Sequence, residues 1–126
     1  MRLVIVSNRV TIPDRHEKVM AGGLAVALRE ALEQRGGLWF GWSGAVSEGA
    51  STQLRQVERG NVTYAVTDLS EAERQSYYLG FSNRALWPLM HYRLGLTEFQ
   101  RSAYMGYLGV NRRFARALAA LIKPDD

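Results

Sequence analysis

The chain has 126 residues, of which 47% are hydrophobic and 22% charged, with a formal net charge of +4 at pH 7. This length and composition predict about one small domain with a single core and argue against two complete domains and against disorder. Cysteine is absent and His16 and His91 are the only histidines, which excludes a disulfide scaffold, a thiolate zinc site, a cysteine nucleophile and a histidine-rich metal site.

The basic residues are fourteen Arg and two Lys, and the arginines are spread from Arg2 to Arg116 without a dense cluster. Such a spread is typical of a solvated surface rather than a nucleic-acid site. The first apolar run, Leu3–Val6, is far too short for a signal peptide or a membrane span. We therefore expect a soluble, cytoplasmic chain that binds neither nucleic acid nor a membrane.

The first forty residues predict a β–α–β unit with two parallel strands. Leu3–Val6 is continuous and largely β-branched, which is typical of a strand buried on both faces. Ser7, Asn8 and Arg9 are expected to end this strand, and a polar loop follows as far as Ala21.

A helix follows the loop, beginning at Gly22-Gly23 and ending at Gly36-Gly37. Its apolar stripe has four-residue spacing. The stripe consists of Leu24, Leu28 and Leu32, with Ala27 and Ala31 beside it. The run Leu38–Phe40 then begins the second strand.

A β-hairpin is predicted around the turn signal Gly60-Asn61. Its alternating apolar residues are Val57 on one side and Val62, Tyr64 and Val66 on the other. After the hairpin, Ser70 and Glu73 form a capping box, which predicts a helix from Glu71 toward Leu79.

Further along the chain, Gly80 is expected to interrupt this helix, and a shorter piece is predicted over Asn83–Leu86, with a break at Pro88. A second capping-box pattern, at Thr97 and Gln100, predicts a long helix that reaches Ile122. These elements make an α/β fold with a parallel sheet, a β-hairpin and flanking helices. Because a long helix in such a fold normally leads into another strand, the chain has the pattern of the front part of a longer protein.

Two features at the carboxyl edge of the predicted sheet suit an anion. Arg9 follows the first strand, where ligands of open parallel sheets bind, and a guanidinium suits phosphate. Gly22-Gly23 offer backbone N–H groups at a helix start, which a diphosphate can approach closely. The alternatives stay open: Arg9 pairs with a surface carboxylate, and the glycines form a turn without a ligand. The glycine stretch matches neither standard nucleotide fingerprint.

Aromatic side chains can stack on a sugar ring, although for any single one a core position is the preferred interpretation. The aromatic candidates are Trp39, Phe40, Trp42, Tyr77, Tyr78, Trp87 and Tyr92.

Groups for acid–base catalysis are scarce. His91 is interpreted as a structural histidine and His16 as an exposed one. Asp68, Glu71 and Glu73 surround a helix start, where the dipole favours negative charge. We identify no catalytic residue and no metal site.

Several motifs occur in the order and spacing of one enzyme family. They are VSNR (Val6–Arg9), AGGLAVAL (Ala21–Leu28), GGLWFGWSG (Gly36–Gly44), YY (Tyr77-Tyr78), FSNRALWPLMHYR (Phe81–Arg93), FQR and YLGVN. On these motifs, the chain closely resembles the trehalose-6-phosphate synthases over essentially its whole length.

The resemblance implies a retaining glycosyltransferase of GT-B architecture, with two Rossmann-like domains facing across a cleft. Such enzymes transfer glucose from UDP-glucose to glucose 6-phosphate, giving α,α-trehalose 6-phosphate and UDP, without a metal or other cofactor. Residues 1–126 would be part of the N-terminal, acceptor-side domain.

Carried over by motif, Arg9 and Tyr78 would hold the phosphate of glucose 6-phosphate. Trp87 would line the acceptor pocket and help to select the anomer, and Trp42 would be a further acceptor contact. Gly22-Gly23 would touch the UDP-glucose donor.

The family's HDYHL segment, which carries an acceptor-binding aspartate, would begin just after Asp126, and the C-terminal domain that neutralises the UDP phosphates lies beyond these residues. We therefore expect the 126-residue chain alone to have no transferase activity. A sheet that lacks strands exposes an edge and apolar surface, which invites association between copies.

A non-catalytic module that binds a sugar phosphate or regulates a catalytic domain is the alternative function, and a nucleic-acid binder is a distant third. The reading frame beyond Asp126 separates the first two. Continuation into a second α/β domain favours the enzyme, whereas a stop codon favours the module.

Overall fold

A computed structural model describes residues 1–13, 22–49 and 53–126. The chain forms two compact units. The first consists of Met1–Gly44, Gln53–Asp68 and Leu121–Asp126, and the second of Ala45–Thr52 and Leu69–Ala120. Within the described ranges, no helix is long and apolar enough to span a lipid bilayer.

The first unit is built on a four-stranded sheet. The strands are β1 (Leu3–Arg9), β2 (Gly37–Val46), β3 (Arg55–Arg59) and β4 (Val62–Leu69), in the spatial order β1-β2-β4-β3. β1 and β2 pair in parallel, and β3 and β4 pair antiparallel around the two-residue turn Gly60-Asn61. The predicted α/β fold, with its parallel strand pair and its hairpin, is confirmed.

Helix α1 (Gly23–Arg35) connects β1 to β2 and confirms both predicted helix ends. Gly36 adopts a φ of +71°, and its N–H donates to the carbonyl of Leu32 at 2.7 Å, which closes the helix. The predicted stripe is wrong at Leu24, which is 76% exposed. A strict four-residue spacing drifts around a helix of 3.6 residues per turn. The face that packs inward instead carries Ala25, Leu28 and Leu32.

The core of the first unit lies between α1 and the sheet. Its buried members are Val10, Leu32, Trp39, Val62, Tyr64 and Val66. Leu3 and Ile5 pack against this cluster, whereas Val6 on the opposite face is half exposed. The expectation that β1 is buried on both faces is therefore wrong, because α1, the one helix in the described part of this unit, covers a single face.

The second unit is helical. It contains the short helix α2 (Glu71–Glu73), a π-helix (Arg74–Leu86), α3 (Trp87–Met90), a 3-10 turn (Leu94–Leu96) and α4 (Arg101–Ala119). The capping box at its start is confirmed: the Ser70 hydroxyl accepts from the Glu73 N–H at 3.1 Å, and the Glu73 carboxylate accepts from the Ser70 N–H at 2.9 Å. The Glu73 carboxylate also forms an ion pair with Arg113 of α4, with 2.9 Å between Glu73 Oε1 and Arg113 Nη2.

The predicted interruption at Gly80 and the break at Pro88 are wrong, because helical winding continues from Glu71 to Met90. Gly80 instead allows close packing, since a Cβ there would lie 3.0 Å from the Cβ of Ala103 on α4. Pro88 is tolerated because it occupies the first turn of α3, where a missing N–H costs little.

The long final helix is confirmed, but its predicted ends are not. α4 begins at Arg101, and the side chain of the preceding Gln100 caps no backbone group. The N–H of Thr97 is used by the 3-10 turn, where it donates to Leu94 at 3.1 Å. The helix stops at Ala119 instead of Ile122.

The carbonyl of Leu121, just beyond that end, accepts from the Arg2 guanidinium at 2.7 Å.

Candidate functional site

The parallel strands of the first unit bring polar groups to one edge of the sheet. β2 and β4 start together, since the Gly37 N–H donates to the Asn61 carbonyl at 3.2 Å. They also end together, because the Ser43 hydroxyl donates to the Asp68 carboxylate. β1 runs parallel to β2 and ends at Arg9 on the same edge. Ligands of open parallel sheets bind outside this carboxyl edge.

A β-bulge sets the position of Arg9. β1 and β2 pair regularly as far as Ser7 with Gly41, but the next pair is Arg9 with Trp42, so Asn8 is an extra residue. As predicted, β1 ends with Ser7, Asn8 and Arg9, but pairing resumes after the bulge and holds Arg9 in the sheet. Bulges bend a strand and redirect a side chain, and they are common beside functional sites.

The Arg9 guanidinium lies against the backbone of Gly44 in β2. A Cβ at Gly44 would stand 2.8 Å from Nε and 3.0 Å from Nη2 of Arg9, and Gly44 has a φ of +87°. Glycine is therefore required here both by conformation and by space. Among the described residues, no carboxylate pairs with Arg9, so the alternative of a surface ion pair finds no support there.

Gly22 and Gly23 stand at the start of α1, which the β–α–β connection brings to the same carboxyl edge. Gly22 has a φ of −58°, and a Cβ on either residue would meet nothing within 4 Å. No side chain of the described residues caps this helix start, and its first turn carries no acidic residue. Neither conformation nor packing among the described residues requires these glycines. His16 and most of the predicted loop, including Ala21, lie outside the described residues.

The aromatic residues of β2 are buried. Trp39, Phe40 and Trp42 are core residues, and Trp42 is 4% exposed. Its carbonyl accepts from the N–H of Val10 at 2.8 Å, which ties the chain that follows β1 to the sheet. The core interpretation holds for these three side chains.

Asp68, which the sequence places near a helix start, is bound by two side chains of the first unit. Its buried carboxylate accepts from Ser43 and, at 2.8 Å, from Arg55. The hydrogen bond to Asp68 raises the pKa of the Arg55 guanidinium above its usual value, against the opposing effect of burial. This cluster anchors the end of β2 beside Gly44.

In the second unit, the adjacent tyrosines differ in their surroundings. Tyr77 is 2% exposed, stacks on Tyr107 with a centroid distance of 5.7 Å and meets Phe114 edge-on at 6.0 Å. Burial raises the pKa of Tyr77 to about 12. Tyr78 is half-buried, so it is the member of the pair with surface to offer a ligand.

Trp87 is 51% exposed and stacks on His91 at a centroid distance of 4.1 Å. His91 Nδ1 lies 2.8 Å from the Trp87 carbonyl, so Nδ1 is the donor of this hydrogen bond, since a carbonyl only accepts. His91 is exposed and structural only in supporting Trp87. Tyr92 is 96% exposed, so the core interpretation fails for Tyr92 and Trp87. No group of three or more His, Asp or Glu suited to a metal occurs among the described residues.

The roles of two residues at the carboxyl edge, Ser7 and Gly44, were not predicted from the sequence. In the sequence, Ser7 is only part of a predicted strand end and Gly44 is one glycine among several. Neither the bulge after Ser7 nor the positive φ of Gly44 can be recognised from a single sequence. The only signal for Gly44 in the sequence is its place in the motif GGLWFGWSG, a few residues after the predicted start of the second strand.

Comparison with known proteins gives a consistent set of matches. The model of glycosyltransferase family 20 matches residues 1–126. A trehalose-6-phosphate synthase from Sinorhizobium fredii is 56% identical over 99% of this chain and 27% of its own length. This chain therefore spans about a quarter of the length of that relative.

Two solved structures are similar as well. An α,α-trehalose-phosphate synthase from Burkholderia xenovorans in complex with glucose 6-phosphate has a TM-score of 0.85 and 43% identity over 98% of this chain and 26% of that one. An Escherichia coli structure bound with UDP-2-fluoro glucose has a TM-score of 0.81 and 49% identity, again over 98% and 26%.

Proposed function

Since this chain belongs to glycosyltransferase family 20, we propose that it supplies the acceptor-side part of a trehalose-6-phosphate synthase. The reaction is transfer of glucose from UDP-glucose to glucose 6-phosphate, giving α,α-trehalose 6-phosphate and UDP. The observation that carries the proposal is the Arg9 guanidinium, which lies on Gly44 at the carboxyl edge and pairs with no described carboxylate.

Arg9 is the group we assign to the phosphate of the acceptor. A guanidinium binds phosphate through two charge-assisted hydrogen bonds, which fixes both position and orientation. The assignment of Tyr78 and Trp87 to the same acceptor rests on the family motifs YY and LWP, and their exposed surface supports it. Trp42 would contact the acceptor only through the small part of its surface that is exposed.

Gly22 and Gly23 are assigned to the donor. The uncapped N–H groups at the start of α1 and the positive end of the helix dipole favour the diphosphate of UDP-glucose. Two glycines that neither φ nor packing requires are explained if a ligand approaches the backbone there. Stabilising the charge on the departing diphosphate is the main contribution expected of such a site.

Because this chain spans about a quarter of its relatives, the proposal leaves most of the donor site to other residues. We place residues 1–126 in the N-terminal domain and expect no trehalose 6-phosphate to form on the isolated chain. Formation of that product by the purified chain would contradict the proposal that residues outside this chain supply most of the donor site.

Calorimetric titration of the chain with glucose 6-phosphate, glucose and inorganic phosphate tests the acceptor assignment. We expect glucose 6-phosphate to bind more tightly than glucose, because the phosphate carries the charge that Arg9 recognises. Glucose binding as tightly as glucose 6-phosphate, or no binding of either phosphate compound, would count against the proposal.

A further inference from the structure

We propose that Ser7 is a positioning residue that fixes the direction of the Arg9 side chain through a hydroxyl bridge to Trp39. The inference rests on the proposed function for its ligand, because Arg9 is the group assigned to the phosphate. Ser7 itself touches no ligand and acts through the backbone of Arg9.

The Ser7 hydroxyl joins a buried donor to a backbone acceptor. The indole Nε1 of Trp39 lies 2.9 Å from Ser7 Oγ, and Oγ lies 2.8 Å from the Arg9 carbonyl oxygen. An indole N–H only donates and a carbonyl only accepts, so the single hydroxyl proton must point to Arg9. Neither bond can reverse its direction, which gives the bridge one arrangement.

This bridge spans the bulge. Ser7 and Arg9 flank the extra residue Asn8, and the Ser7–Arg9 hydrogen bond closes a short ring across it. Trp39 belongs to the buried core, so its indole supplies a rigid reference point in β2. The bulge is thereby tied to a buried side chain of the core.

The bulge determines which face of the sheet Arg9 occupies. With regular pairing, Asn8 would stand opposite Trp42 and Arg9 would move on by one position. Successive residues of a strand point to opposite faces, so a shift of one residue would send the guanidinium to the other side, away from Gly44. Holding the bulge closed therefore keeps Arg9 on Gly44.

The ligand-free chain gives a test that does not depend on what Arg9 binds. The Nε–H resonance of Arg9 is followed by NMR below neutral pH in Ser7→Ala, in the rescue variant Ser7→Thr and in the unmodified chain. Because the guanidinium lies on the Gly44 backbone, we expect Ser7→Ala to shift this resonance and Ser7→Thr, which keeps the hydroxyl, to restore it. An unchanged resonance in Ser7→Ala overturns the proposal.

A second variant covers the case in which Ser7→Ala does not fold. Trp39→Phe keeps a ring in the core and removes the indole donor, so the Ser7 hydroxyl loses its anchor while its bond to Arg9 can persist. We expect a displacement of the Arg9 resonance in the same direction, and no displacement would overturn the bridge.

Titration with glucose 6-phosphate separates this inference from the proposed function. When Arg9 is present, we expect Ser7→Ala to weaken the binding of glucose 6-phosphate about two- to tenfold. In a chain that already carries Arg9→Ala, we expect Ser7→Ala to cause no further loss of affinity. Equal binding by Ser7→Ala and the unmodified chain, when Arg9→Ala binds weakly, overturns the positioning role and leaves the function intact. Unchanged binding by Arg9→Ala refutes the function, whereas a shifted Arg9 resonance in Ser7→Ala still supports the positioning role.

Discussion

The guanidinium of Arg9 rests on the backbone of Gly44, where a Cβ would stand 2.8 Å from Arg9 Nε. The contact places a cation at the carboxyl edge of the sheet, and no described carboxylate forms an ion pair with it. A residue that has a side chain at position 44 must move this cation.

We expect Gly44→Ala to weaken binding of glucose 6-phosphate, because the new methyl group displaces the guanidinium. It also strains the backbone at a φ of +87°, at a cost of about 1–2 kcal/mol. Calorimetry and thermal unfolding measure the two effects separately.

Gly60→Ala is the matched control for that variant. Gly60 has a φ of +62°, but a Cβ there would meet nothing within 4 Å. We expect a similar loss of stability with no change in binding. If both variants weaken binding equally, contact with Arg9 is not the cause.

Two glycines of α4 predict opposite effects on stability. A Cβ at Gly106 would overlap Ser76 of the π-helix, whereas a Cβ at Gly109 would meet nothing within 4 Å. We expect Gly106→Ala to lower the free energy of unfolding by about 1–3 kcal/mol through overpacking. Gly109→Ala should raise it by up to about 1 kcal/mol through helix propensity.

Denaturant unfolding of both variants checks this pair, and Ser76→Gly should relieve part of the Gly106→Ala loss. Equal stability of the two alanine variants would show that the π-helix and α4 do not pack as closely as described.

Tyr77 predicts a loss of stability at alkaline pH. Burial raises its folded pKa to about 12, against an ordinary value of about 10, so the fold favours the neutral phenol. The stabilisation is complete below about pH 10 and is lost as pH rises toward about 12, with a slope of at most about 1.4 kcal/mol per pH unit.

Tyr77→Phe should remove that part of the pH dependence, because phenylalanine carries no ionisable group. The comparison is the free energy of unfolding of each chain across this pH range. Parallel curves for the two chains would mean that the Tyr77 phenol ionises as easily folded as unfolded.

The stack of His91 on Trp87 predicts how the exposed indole is held. We expect His91→Ala to shift the Trp87 indole N–H resonance, since the stack is lost. Pairs of this kind contribute about 0.5–1.5 kcal/mol. His91→Phe keeps a ring and should preserve most of the signal, whereas an unaltered resonance in His91→Ala would rule out the stack in solution.

Local sequence patterns predict a helix end or a turn well where one short-range interaction determines it. The Ser70–Glu73 capping box and the Gly36 helix end are confirmed because each is closed by hydrogen bonds within a few residues. The Gly60-Asn61 hairpin is confirmed for the same reason.

The predictions fail where residues distant in the sequence determine the local structure. Gly80 does not break its helix, because Ala103 of α4 packs against it. The bulge at Asn8 was not predicted, because it depends on the pairing of β1 with β2. In the candidate site, the location of Arg9 at the carboxyl edge follows from the strand pattern. Its contact with Gly44 does not, since it depends on pairing between β1 and β2.

The most direct test of the acceptor site compares Arg9→Ala with Arg35→Ala in titrations with glucose 6-phosphate. Both variants remove one positive charge, but Arg35 lies in the last turn of α1, away from the carboxyl edge. We expect Arg9→Ala to lose at least about tenfold in affinity, as is usual for a charge-assisted pair of hydrogen bonds, and Arg35→Ala to bind like the unmodified chain. Equal affinities for the two variants would contradict the assignment of Arg9 to the phosphate.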